Sequence, residues 1–140
     1  MSNPLEPGNH RNNWLKEKRP GREILFRGIR IDSGEFAYGC LVQYTDGLAA
    51  ITDPMDSEDD FTGWWVKPET VGQFTGLYDR NAVKIFEGDK MIHLSETPCE
   101  VAFLNGAFVA VIENGTEWAT GEWYGMEVVG NIHKQKTSEK

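Results

Sequence analysis

Glu87 and Asp89 flank a single glycine, and two carboxylates that close can face one cleft as general acid and general base. The same spacing makes a tight corner, in which Gly88 takes the unusual φ and Asp89 accepts from local backbone amides, and the corner is the preferred reading. Asp53, Asp56, Glu58, Asp59 and Asp60 crowd one polar stretch, as a hard cation would require. That stretch lacks the glycine and the terminal glutamate spacing of an EF-hand and reads as a solvated loop. His10, His93 and His133 are scattered, with no pair at metal-ligand spacing. There is no Gly-x-Ser-x-Gly, and neither Cys40 nor Cys99 has a histidine beside it in sequence, so nucleophilic catalysis has no local signature. Gly72-Gln73-Phe74-Thr75-Gly76 is followed by no Gly-Lys-Ser/Thr and is not a phosphate-binding loop. Gln73 and Thr75 are expected to satisfy buried backbone groups. The expectation is a chain with no catalytic, cofactor-binding or metal-binding residues.

Aromatic residues are the remaining lead. Trp64, Trp65, Phe74, Tyr78, Trp118, Trp123 and Tyr124 are more than one small core needs. On a small β domain, exposed aromatics stack bases or grip peptides. Charge separates the two. Residues 1–22 carry five basic and two acidic groups, a net of +3, while the rest of the chain carries nine and twenty, a net of −11. An acidic body repels phosphate backbones, so protein contact or self-association fits better than nucleic acid. Trp14, Leu15, Trp64, Trp65 and Tyr78 are the candidate contact residues. The alternative is nucleic-acid binding through Arg11, Lys16, Lys18, Arg19 and Arg22 with an aromatic stacking surface, and a third is a small enzyme without a recognisable motif.

The elements that must position these residues are strands. Residues 1–21 form a lead rich in Pro and Asn, expected to be flexible, in which Trp14 and Leu15 have little company. From Glu23 the pattern turns to short apolar runs broken by turn residues: Ile24–Ile31, Phe36–Tyr44, Leu48–Thr52 and Trp64–Val66, with Asp32-Ser33-Gly34 and Thr45-Asp46-Gly47 between. Adjacent side chains on a strand face opposite ways, so one of Trp64 and Trp65 should enter the core and the other lie on a second surface. Tyr78-Asp79-Arg80-Asn81 reads as a turn before a strand at Val83–Phe86. Cys99–Leu104 and Ala107–Ile112 flank Asn105-Gly106, which suits the two positive-φ positions of a type I′ hairpin. Glu127–Ile132 is a closing strand, and 133–140 is a polar tail. No long amphipathic helix appears. The fold class is mostly β: a small barrel or two linked β-subdomains, the C-terminal half with the cadence of an SH3-like barrel. Without an apolar leader or an 18-residue apolar stretch, the chain is expected to be cytoplasmic, with no membrane span. Its two cysteines are expected to be reduced and semi-buried, a disulfide being the alternative.

Three blocks resemble a known family. Arg22-Glu23-Ile24-Leu25-Phe26-Arg27-Gly28, followed by Gly34-Glu35-Phe36-Ala37-Tyr38-Gly39, is similar to the opening of YopX-family proteins. The run VKPETVGQFTGLYDRNAVKIFEGD, Val66 to Asp89, resembles that family's hallmark segment, and Glu127–Ile132 its closing signature. The blocks come in the family's order and span residues 22–132. The chain departs from the pattern at Asn81-Ala82, where the family usually has Asn-Gly, at Lys90, usually apolar, and in the tail after Ile132. The resemblance implies a phage or prophage setting and brings no mechanism. The expectation is therefore a phage or prophage accessory protein that is non-catalytic, acts through contacts with a phage or host protein, and forms a homo-oligomer.

Overall fold

The computed structural model describes residues 22–53, 63–93 and 97–133. The N-terminal lead, with Trp14, Leu15, Arg11, Lys16, Lys18 and Arg19, lies outside the described residues, as do most of the acidic stretch after Asp53 and the tail after His133. Among the described residues no helix is long and apolar enough to cross a membrane.

Among the described residues eleven strands form two antiparallel sheets. The first contains β1 (Phe26–Ile29), β2 (Phe36–Gln43), β3 (Ala49–Thr52), β4 (Gly63–Val66), β5 (Gly72–Tyr78) and β6 (Lys84–Phe86), in the order β4-β3-β2-β1-β5-β6. The second contains β7 (Asp89–Ile92), β8 (Pro98–Leu104), β9 (Ala107–Ile112), β10 (Glu117–Trp118) and β11 (Glu127–Asn131), in the order β10-β9-β8-β7-β11. Short 3-10 turns at Pro68–Thr70 and Thr120–Gly125 are the only helical pieces among the described residues.

The mostly-β expectation holds, and of its two forms the linked pair of β units fits, because no barrel closes among the described residues. In the first sheet Lys67 N–H donates to Ile29 and Ile31 N–H to Trp65, drawing the end of β4 onto the end of β1. β1 still carries β5 on its other side, through Phe26–Gln73 and Arg27–Gly72, so the sheet curls but runs on to a free edge at β6. The C-terminal half is likewise an open five-stranded sheet.

Each sheet has its own core. The curl of the first encloses Ala37, Ala49, Ile51 and Val66, with Phe26, Leu41, Trp64 and Val71 packed against them. This close packing requires Gly39, because a Cβ there would collide with the Thr52 carbonyl of the neighbouring strand. The second core gathers Met91, Cys99, Val101 and Ala110 from the second sheet, Trp123 and Met126 from the 3-10 turn before β11 and its end, and Ile85 from β6. The β5–β6 hairpin thus belongs to the first sheet by hydrogen bonding and to the second core by packing, and it couples the two halves.

The Asn105-Gly106 hairpin forms as expected, with φ of 53° and 82° at its two central residues and six matched pairs from Cys99–Ile112 to Leu104–Ala107. Strand β5 falls on the Gly72–Gly76 run, where no strand was read from the sequence. Thr75 on it donates to the Ile85 carbonyl and accepts from Leu77 N–H, the role in satisfying backbone groups expected of it.

Candidate functional site

Between the two sheets lies a buried ion pair that sets the geometry of everything around it. Arg27 sits on β1, an interior strand of the first sheet, and Asp89 on β7, an interior strand of the second. Arg27 Nη2 donates to Asp89 Oδ1 at 2.7 Å, and both side chains are almost wholly buried. Phe36 and Phe86 lie over the guanidinium, their ring centroids 4.5 and 4.7 Å from its central carbon. Asp89 Oδ2 accepts the Phe86 N–H at 2.8 Å, the local turn bond expected of the Glu87-Gly88-Asp89 corner. One carboxylate therefore closes the corner and joins the sheets. Burial pushes the Asp89 carboxyl above the usual carboxylate range, outweighing the opposite pull of Arg27 and the Phe86 amide.

A second carboxylate organises the rim. Asp79 is buried at the turn before β6, where its Oδ1 accepts from Asn81 and Val83 N–H and its Oδ2 from Val128 N–H on β11. Sequence reading identified the turn but not its role in fastening the first sheet to the last strand; an aspartate opening a turn is the one signal available for it. Ala82 follows with φ of 66°. The turn forms, with an L residue in the left-handed region.

The two fasteners frame a cleft of about 390 Å³ between the edge strands β6 and β11. Arg27 and Asp89 line it beside Tyr38, Val83, Phe86 and Val128. A register shift between Val128 and Gly130 interrupts the pairing of β11 with β7 at this wall. The rings run on as a ladder, Phe36 to Tyr38 to Phe86 to Phe74 to Tyr78, with centroids 5.6 to 6.2 Å apart. Lys84 Nζ stands 5.5 Å from the rings of both Phe74 and Tyr78 and 3.4 Å from Glu23.

Glu87 lines a different cleft, of about 180 Å³, with Glu69, Glu100 and His133. Glu87 and Asp89 thus do not face one cavity as a pair. Burial, reinforced by the charge of Arg27, pushes His133 below the usual histidine range. Among the described residues no group of three or more His, Cys, Asp or Glu side chains could hold a metal ion.

The candidate contact residues do not converge. Trp64 packs against the first core and Trp65 is half-exposed, as the alternation of strand side chains requires. Tyr78 is also about half-exposed, at the far end of the ring ladder. Trp65 meets Tyr44 at 5.4 Å between ring centroids. Backbone hydrogen bonds set exposed Ile31 beside Trp65 and exposed Leu48 beside Tyr44, so four apolar side chains gather at one end of the first sheet. Tyr44, Leu48 and Ile31 escaped sequence reading, because each lies in or beside a turn and only the fold brings them to Trp65. Part of the aromatic surplus is core: Trp123 is the largest fully buried side chain, while Tyr124 beside it is exposed. Of the basic residues proposed for nucleic acid, Arg22 alone is described, and it is exposed. The cysteines are free, but neither is semi-buried: Cys99 is buried in the second core and Cys40 is exposed, because it points outward from the curl of β2.

A search of curated proteins returns no match. The family model described as "YopX protein" matches residues 25–137, which include both carboxylate fasteners, the cleft and the closing strand. The chain belongs to the YopX family.

Proposed function

We propose that this YopX-family protein is non-catalytic and acts through protein contacts in a phage or prophage setting within the bacterial cytoplasm, with self-association as the first of those contacts. The observation that carries the reading is the half-exposed Trp65 with its ring tilted against that of Tyr44, with Ile31 and Leu48 exposed beside them. Interface hot spots are enriched in Trp and Tyr grouped in this way. The net charge of −11 outside the first 22 residues favours a protein partner over a polyanion.

The test is light scattering coupled to size-exclusion chromatography on the full chain and on Trp65→Glu. The wild type should elute as a multiple of 15.8 kDa and the variant as 15.8 kDa. Loading up to about 100 µM half-populates an association worth about −5.5 kcal/mol. A wild type that stays at 15.8 kDa throughout sinks self-association, and an oligomer indifferent to the charge at Trp65 moves the interface elsewhere.

A further inference from the structure

Tyr38 and Val83, each nearly half accessible, stand at the cleft between β6 and β11, and Phe86 and Val128 complete its apolar walls. Leaving such surface in water is unfavourable, and a cleft of about 390 Å³ has room for a large apolar side chain. The charges beside it are matched, Arg27 by Asp89 and Lys84 by Glu23, so the occupant is selected by shape and apolar area. The path of the chain points to that occupant. Lys84 lines the cleft and stands 3.4 Å from Glu23, so the segment preceding Glu23 begins at the rim. That segment carries Trp14 and Leu15 among Asn, Lys and Arg. The nine residues from Trp14 to Glu23 span up to about 30 Å, and Pro20-Gly21 within them is a pair that favours chain reversal. Charge agrees, since residues 1–22 carry a net +3 and the rest of the chain −11. A tether this short holds its anchor at about millimolar effective concentration, so a contact that would be weak between separate molecules is populated.

We propose that the cleft between β6 and β11 is the docking site for the N-terminal lead of the same chain, with Trp14 as the side chain that enters it against Tyr38, Phe86, Val83 and Val128. The lead is then a built-in occupant, and any other ligand of the cleft must displace it. The cleft shares no residue with the surface around Trp65, so either reading can fail without the other.

The test places a nitroxide on Asn12→Cys of the 15N-labelled full chain in a Cys40→Ser background, where buried Cys99 escapes the label, and reads the amide signals by NMR. The amides of Val83, Phe86, Val128 and Gly130 should broaden, while that of Gly47, at the turn between β2 and β3, stays sharp. Trp14→Ser in the same spin-labelled chain should remove the broadening, because a lead that is only tethered at Glu23 has no anchor in the cleft. Mixing spin-labelled chain without 15N into unlabelled 15N chain should broaden nothing, because the contact lies within one molecule. The proposal is overturned if no cleft amide broadens, if Trp14→Ser leaves the broadening undiminished, or if the mixed sample broadens the cleft amides, which would assign the cleft to the lead of a second copy.

Discussion

Removing both partners of the Arg27–Asp89 pair in a matched way should cost no more than removing either one alone. The pair is 2.7 Å apart, with side chains 7% and 3% exposed, so solvent screens it little. Stranding one member of a buried pair typically costs about 3–5 kcal/mol, a large share of the 5–15 kcal/mol that holds a domain folded. Asp89→Asn has an added difficulty: Asp89 accepts from both Arg27 and Phe86 N–H, and an amide can turn only one oxygen toward two donors. Arg27→Met keeps an apolar stem between Phe36 and Phe86 but leaves the Asp89 carboxylate buried without its counter-charge. We expect about 3 kcal/mol for each single change and about 3, not 6, for Arg27→Met/Asp89→Asn, a coupling near 3 kcal/mol. Urea unfolding followed by tryptophan fluorescence measures all three. Trp64 and Trp65 report on the first sheet and Trp118 and Trp123 on the second, so replacing one pair at a time also shows whether the sheets still unfold together. Single-variant costs that simply add, to within about 0.5 kcal/mol, would refute the pair as the fastener between sheets.

Acidification should act on this pair in an unusual direction. Burial raises the native Asp89 pKa above its ordinary value of 3.8, so the group's contribution to stability is complete below that value and is lost as pH rises through the native pKa. The wild type should therefore gain stability relative to Asp89→Asn as pH falls through that window, and the opposite slope would mean that Arg27 outweighs burial. Ala82→Gly should stabilise the protein by about 0.5–1 kcal/mol, since it relieves a φ of 66° at the cost of some unfolded-state entropy. Calorimetry should record this as a Tm rise of about 2–4 °C, and no rise would show that the turn is unstrained. Gly39→Ala should fail to fold or lose more than about 3 kcal/mol, because its Cβ meets the backbone of Thr52 and not a movable side chain; urea denaturation decides. In the native state Ellman's reagent should titrate Cys40 promptly and reach Cys99 only on unfolding, because Cys99 is buried and its thiol is pushed up by that burial. Two thiols reacting together in native protein would place Cys99 at the surface.

Much of the strand framework was legible because its signals are local. Asn105-Gly106 occupies both positive-φ positions its turn demands. Alternation alone required Trp64 and Trp65 to part, and they do. Strand β5 was hidden, because Gly72 and Gly76 interrupt the run with residues of low strand propensity; yet a Cβ at Gly72 would strike the Glu87 carbonyl, so glycine there reflects the close approach of another segment, which no local pattern encodes. Openness of the sheets was hidden for a similar reason: the same strand lengths would suit a closed barrel, and the outcome turns on β1 pairing with β5 as well as β2.

The candidate sites divide along the same line. By itself the sequence determined the strand-rich composition, the acidic body, the turns and the family blocks, all properties of neighbouring residues or of totals. It also supplied Arg27 in the opening block and Asp89 at the end of the hallmark segment. Only the tertiary structure decided that these two meet across 62 residues, that Asp79 holds β11, and that Trp65 shares its surface with Tyr44, Ile31 and Leu48. The physical reason is that a charge pair and an apolar patch depend on distance in space and on exclusion of water. Both are set by how the sheets curl and pack, which is a property of the whole chain.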